Sequence, residues 1–234
     1  MKRTNESFQA AIKSLSGRVN QTVGENNSFN ASTIKREANA LNHAFESLVK
    51  IANTPKRTEN ERAHYKRTAE LAKILKLKAA QAADRIRNAQ VSALNEIEQK
   101  TTEHLGLVDS TYGHEVRATL RIMNSKQRAK MLNQIVAEGD GRIIAAITQS
   151  PAMLSGMTES EQSKYHELFL QEHAPALIKE RDSILDGVTA AHTLVSTVQS
   201  AAENLFDEAA LNDINQSEQA ADQAKAEFNE SFAL

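Results

Sequence analysis

Residues 56–105 contain neither glycine nor proline, and this uninterrupted stretch constrains the fold more than any other feature of the sequence. Glycine and proline most readily interrupt helices, so their absence predicts one very long helix over about 59–104. Such a helix would extend roughly 70 Å at about 1.5 Å per residue. A compact globule of a chain this size is only about 45 Å across. The stretch therefore predicts an elongated molecule.

Small and aliphatic side chains recur along one face of this predicted helix at a spacing close to one helical turn. Four of the eight are alanines, which let a neighbouring helix approach closely while burying little apolar area per turn. The face consists of Leu71, Leu75, Ala79, Ala82, Ile86, Ala89, Ala93 and Ile97.

A second long helix is predicted over about 176–206, because Pro175 restarts the chain as a helix. Its apolar positions are separated by alternating steps of four and three residues, the heptad spacing typical of coiled coils. We interpret this seam as a self-association or hairpin surface. It consists of Ile184, Val188, Ala191, Val195, Val198, Ala202 and Leu205.

The fold class predicted from these features is all-α. The 234 residues include only eight glycines and three prolines, and no alternating pattern indicates a strand. We expect an elongated helical bundle or coiled-coil hairpin built on the two long helices, with short helices between them. The first helix is predicted over 5–16 and ends near Gly17.

Helix starts are predicted from capping chemistry. Ser32 or Thr33 is expected to cap the second helix. Thr58 and Thr158 each precede a glutamate by three residues, which is the spacing of a capping box.

The predicted organisation follows composition and charge. We expect an N-terminal helical pair, a long basic helix with its following helices, a helical elbow, acidic helices that carry the heptad seam, and an acidic end that is a weak helix or a flexible tail. These blocks cover residues 1–54, 55–138, 139–158, 159–210 and 211–234. Phe228, Phe232 and Leu234 would form a short docking motif in the last block.

The net charge of −2 conceals a strong asymmetry. Residues 1–157 hold 24 Lys and Arg against 15 Asp and Glu, whereas residues 158–234 hold 4 against 15. One interpretation of the basic helix, over 56–87, is a nucleic-acid contact surface. The favoured alternative is a solvated face neutralised by the acidic C-terminal helix, within the chain or across a subunit boundary. The nucleic-acid interpretation would use Lys66, Lys73, Lys76, Arg85 and Arg87.

The sequence predicts no catalytic, metal or cofactor site. It has no cysteine, and Leu170 stands where the zinc-protease signature that begins at His166 needs its second histidine. Glu61 and His64 have the spacing of a di-iron motif, but no second copy accompanies them. The N-terminus lacks the apolar stretch of a signal peptide, and no window is apolar enough for a membrane span.

Residues 143–158 carry no charge, and each unusual residue there has a predicted structural task. Asp140 caps a helix, Pro151 starts a turn that Gly156 ends, and Met157 precedes the Thr158 cap. The surrounding segment 138–162 resembles small all-helical structural and assembly proteins of tailed bacteriophages, which often carry a Gly-Asp-x-Arg helix before a proline elbow. The residues that carry the resemblance are Gly139, Asp140, Arg142, Pro151, Leu154, Ser155, Gly156, Met157 and Thr158.

The expected function is a non-enzymatic structural or assembly protein that acts through helix–helix association. Its expected partners are further copies of itself and other structural proteins. The phage resemblance implies capsid, portal or tail proteins as partners, a scaffold, internal, ejection or connector-associated role, and a location in the host cytoplasm or the virion. The alternative is a nucleic-acid-binding accessory protein that uses the basic helix, and a hydrolase with an unrecognised site is least favoured.

Overall fold

The computed structural model describes residues 2–24, 28–108 and 111–231, with side chains from residue 6, and every regular element in these ranges is helical. This confirms the all-α prediction. The helices are α1 (Lys2–Thr22), α2 (Phe29–Asn53), α3 (Glu61–Leu105), α4 (Gly113–Ile122), α5 (Ser125–Glu138), α6 (Gly141–Thr148), α7 (Glu159–His173), α8 (Pro175–Glu203) and α9 (Glu208–Glu230), with a 3₁₀ turn at Ala152–Ser155.

The chain divides into two compact units. The first comprises residues 1–90 and 186–234, and the second comprises residues 91–185. The predicted blocks 55–138 and 159–210 therefore each contribute residues to both units.

Helix α3 is continuous over 45 residues, as its lack of helix breakers predicts. Seven of the eight residues on its predicted inward face are buried, and Leu71 is half-buried. The predicted cap is wrong, however. Asn60 accepts a 2.8 Å hydrogen bond from the backbone N–H of Ala63, so the helix begins after Asn60 and not after Thr58. Thr58 lies in the preceding turn, where the carboxylate of Glu59 accepts a hydrogen bond from the backbone N–H of Lys56.

Helices α1 and α2 pack together at the N-terminal end of the first unit. The predicted end of α1 and the predicted start of α2 are both wrong. Helix α1 continues through Gly17 to Thr22. Gly17 costs a helix about 1 kcal/mol relative to alanine, but continuing the helix buries Val19 and Val23 completely. Helix α2 begins at Phe29 because Ser28 accepts from the N–H of Ala31 at 3.1 Å, which brings Ala31 into the core.

The second unit is built from short helices that enclose one apolar cluster. Leu120, Ile144 and Phe169, from α4, α6 and α7, are completely buried in it. The charge-free elbow has its predicted local chemistry: Asp140 caps α6, Gly156 ends the 3₁₀ turn at φ 68°, and Met157 is buried. Thr158 and Glu161 form the predicted capping box of α7. The unusual residues of this passage therefore hold a turn between helices.

Helix α9 covers most of 211–234, where the sequence predicted a weak helix or a flexible tail. Asp207 caps it by accepting from the N–H groups of Ala209 and Ala210 at 2.8 and 3.5 Å. Its buried residues are Leu211 and Ile214, and every side chain over 216–231 is exposed. Phe228 is 62% exposed, whereas Phe232 and Leu234 of the predicted docking motif lie outside the described residues.

Candidate helix-docking surfaces

The predicted heptad seam lies inside the chain. All seven of its residues are buried by the chain's own packing, and the most accessible, Leu205, is only 7% exposed. Side chains that already pack within one chain are not available to a second copy unless the fold opens. The seam is therefore part of the core of a single chain and is not an exposed surface.

Two lysines of the basic helix α3 pair with glutamates of the chain's own acidic region. Lys66 is paired with Glu218 of α9, and the Nζ of Lys76 lies 2.5 Å from the Oε1 of Glu203 on α8. The hydrogen bond from each lysine to its glutamate raises the pKa of Lys66 and of Lys76. The Nζ of Lys73 lies 5.6 Å from the centre of the Phe206 ring, within range of a cation–π contact.

Arg85, the fourth predicted nucleic-acid residue, is held by a buried carboxylate. Its guanidinium donates to Glu37 of α2 at 2.8 Å, and Arg36 donates to the other oxygen of that carboxylate at 3.3 Å. Burial alone would raise the pKa of Glu37, but the two arginines more than offset this effect and lower it. Arg87 is exposed. The structure thus brings four of the five predicted residues into intrachain contacts.

An apolar groove lies between α2 and α3 in the first unit, with a volume of about 380 Å³. The wall from α2 presents small side chains at Ala40, Ala44 and Ser47, all exposed. The wall from α3 includes Ile74, which is 52% exposed, and Lys78. The remaining lining residues are Leu41, Leu48, Ile51, Leu71, Leu75 and Ala82, with Glu37 and Arg85. Sequence reasoning missed this groove, because the groove depends on how α2 and α3 pack against each other.

A second cavity, of about 580 Å³, lies in the second unit and has a mixed lining. Gln162 borders it and donates through Nε2 to the carbonyls of Ile147 and Ser150 at 2.6 and 2.9 Å, which fixes the elbow. His166 also borders it, and its buried Nδ1 has no hydrogen-bond partner. Burial lowers the pKa of His166, and the charge of Arg181 lowers it further, against an opposing effect of Glu167.

Of the glutamate–histidine pair noted in the sequence, Glu61 is exposed, and His64 belongs to a hydrogen-bonded network at the start of α3. His64 bonds through Nε2 to the carbonyl of Ala52 at 3.0 Å, and its Nδ1 lies 3.1 Å from Arg67. Arg67 in turn grips Glu59. Among the described residues no group of three His, Asp or Glu side chains is placed to hold a metal ion.

Comparisons with known proteins add no relative. No protein-family model matches the chain, no curated protein matches it, and no solved structure matches it. Across the described ranges no helix is sufficiently long and apolar to cross a membrane.

Proposed function

We propose that this chain is a structural or assembly protein without enzymatic activity, which works by associating with further copies of itself through exposed helical surfaces. The observation that carries the proposal is helix α9. It spans 23 residues, of which only Leu211 and Ile214 are buried.

The physical argument rests on how helices are stabilised. In proteins most helical stability comes from packing an apolar face, and isolated helices shorter than about 12–15 residues are marginal in water. The part of α9 beyond Ile214 is about that long and has no such packing in one chain. An external surface that covers it would supply the missing contacts.

The exposed apolar surface of the first unit supports the same function. The groove between α2 and α3 is walled by small side chains, which allow close approach of a third helix. Leu77, one turn from the groove residue Ile74, is 66% exposed. Neighbouring exposed apolar residues of this kind often mark protein-interaction sites.

The resemblance of 138–162 to tailed-phage structural proteins supports a virion or assembly role within this proposal. The nucleic-acid alternative has weaker support, since Lys66, Lys76 and Arg85 are paired with glutamates of the same chain. Those pairs would have to exchange for phosphate contacts.

Light scattering coupled to size-exclusion chromatography, over a wide range of protein concentration, tests the proposal. We expect a mass that rises to a multiple of the single-chain mass. A single-chain mass at every concentration would contradict self-association. If that monomer shifts duplex DNA or RNA at low ionic strength and releases it in salt, the nucleic-acid alternative replaces the proposal.

A further inference from the structure

We propose that α9 of one copy docks into the α2–α3 groove of a second copy. This inference rests on the proposed function and names the two surfaces through which it operates. Each copy carries both surfaces, so two copies can exchange them reciprocally in a two-fold dimer, whereas a head-to-tail contact would build a ring or a filament.

The shapes of the two surfaces correspond. On α9, small residues follow one another in steps of four and three at Ser217, Ala221 and Ala224, and Phe228 extends the row by four residues. These positions lie along one side of a helix, the pattern by which an amphipathic helix binds in a groove. The facing wall, with Ala40, Ala44 and Ser47, has the same spacing.

The lengths of the two surfaces also agree. The lining residues of the groove run over 37–51 on α2 and over 71–85 on α3, about 21 Å along each helix at 1.5 Å per residue. The exposed part of α9, over 216–230, spans about the same distance. The exposed part of α9 is therefore long enough to span the groove.

The charges of the two surfaces are opposite, which selects α9 as the occupant. The groove is bordered by Lys78, and Arg36 and Lys50 stand exposed one turn beyond Ala40 and Ser47. Beyond Glu218, which pairs with Lys66 of its own chain, the exposed part of α9 carries Asp222, Glu227 and Glu230 against the single base Lys225. The one groove carboxylate, Glu37, is already neutralised by two arginines.

Site-directed disulfide formation tests the contact directly, because the chain has no cysteine of its own. Ala44→Cys is placed in a copy with a size tag and Ala224→Cys in an untagged copy. After mixing and mild oxidation, we expect a covalent product that contains both. The matched control is Ala226→Cys, since Ala226 is exposed on the same helix, two residues or about 200° away.

The expected outcome is that Ala224→Cys crosslinks several times faster than Ala226→Cys. Equal rates would show random collision and would overturn the inference. A chain with both Ala44→Cys and Ala224→Cys that closes only an internal disulfide would overturn it too, because α9 would then occupy its own groove.

Charge reversal provides a second measurement. We expect Lys78→Glu to raise the dissociation constant of the dimer about five- to ten-fold, and Asp222→Lys in the same chain to restore part of the loss. Lys126→Glu, on an exposed lysine of α5, is the control. If the wild type assembles and Lys78→Glu assembles equally well, the docking inference fails and the proposed function stands. If the wild type never assembles, both fail.

Discussion

Arg67 grips Glu59 with two parallel hydrogen bonds, one from its Nε at 2.9 Å and one from a terminal nitrogen at 2.8 Å. This fork ties the turn after α2 to the first turns of α3. Bidentate arginine–carboxylate pairs are stronger and more directional than single contacts. The hydrogen bonds from Arg67 lower the pKa of Glu59 to about 2, against an opposing effect of burial.

The first prediction concerns acid sensitivity. A carboxylate whose pKa is depressed from 4.5 to about 2 in the folded chain stabilises the fold above pH 4.5, and this contribution is lost as the pH falls towards 2. We expect Glu59→Gln to lower stability at pH 7 and to flatten the loss between pH 5 and pH 3, measured by urea unfolding. Glu61→Gln, at an exposed glutamate two residues on, is the control. Parallel pH profiles for the wild type and Glu59→Gln would refute the role of the fork.

The second prediction concerns Gly141, at the first position of α6. A β-carbon there would lie 1.8 Å from the backbone oxygen of Leu105 and 2.9 Å from its carbonyl carbon, so the backbone itself would have to move. We expect Gly141→Ala to lower the free energy of unfolding by about 1–3 kcal/mol or more, measured by the urea midpoint.

Gly17 is the matched control for that substitution. It lies within α1, and a β-carbon there would meet no atom within 4 Å. Gly17→Ala should raise stability by about 0.5–1 kcal/mol, because alanine loses less backbone entropy in a helix. Equal effects of the two substitutions would contradict the close approach of Gly141 to the end of α3.

The third prediction concerns His166. Its pKa is lowered in the fold, chiefly by burial and against the opposing charge of Glu167, so the folded chain binds the proton more weakly than the unfolded chain. The neutral histidine therefore makes its full contribution to the stability of the fold above pH 6.5, and this contribution declines as the pH falls below that value. We expect the wild type to lose more stability than His166→Gln between pH 7.5 and pH 5.5. If the acid sensitivity persists in His166→Gln but disappears in His43→Gln, at an exposed histidine, it arises from His43 and not from His166.

The fourth prediction tests whether the heptad seam is part of the core of a single chain. Val195 is 5% exposed within a single chain, so Val195→Asp places an unpaired charge in the core. We expect a loss of about 3 kcal/mol or more in the free energy of unfolding. Ser196→Asp, at the exposed neighbouring position, should change stability little. If Val195→Asp is as stable as the wild type, the seam does not form part of the core.

Sequence reasoning identified the features that local chemistry controls. The long helix could be predicted because residues 56–105 lack breakers and repeat an apolar face. Thr158 and Asp140 were identified as caps because a short polar side chain there can satisfy free N–H groups at once. The favoured interpretation was that the acidic C-terminal helix neutralises the basic helix, within the chain or across a subunit boundary, and Lys66 pairs within the chain with Glu218, 152 residues away.

The features that were missed depend on distant packing. Gly17 looked like a helix end, but the burial of Val19 and Val23 outweighs its intrinsic cost. Asn60 competes with Thr58 as a cap, and the choice depends on the network around Glu59. The α2–α3 groove is a property of two helix axes, and the apolar pattern of either helix alone does not reveal it.

The surface placement of α9 divides the chain into residues that make the fold and residues that are free to specify a partner. Leu211 and Ile214 fix the first turns of the helix, and the turns beyond them contribute no side chain to the core. Packing of the core within one chain is therefore independent of these later turns. Substitutions over 219–230 are expected to alter the exposed surface of α9 while leaving Leu211, Ile214 and the Lys66–Glu218 pair in place.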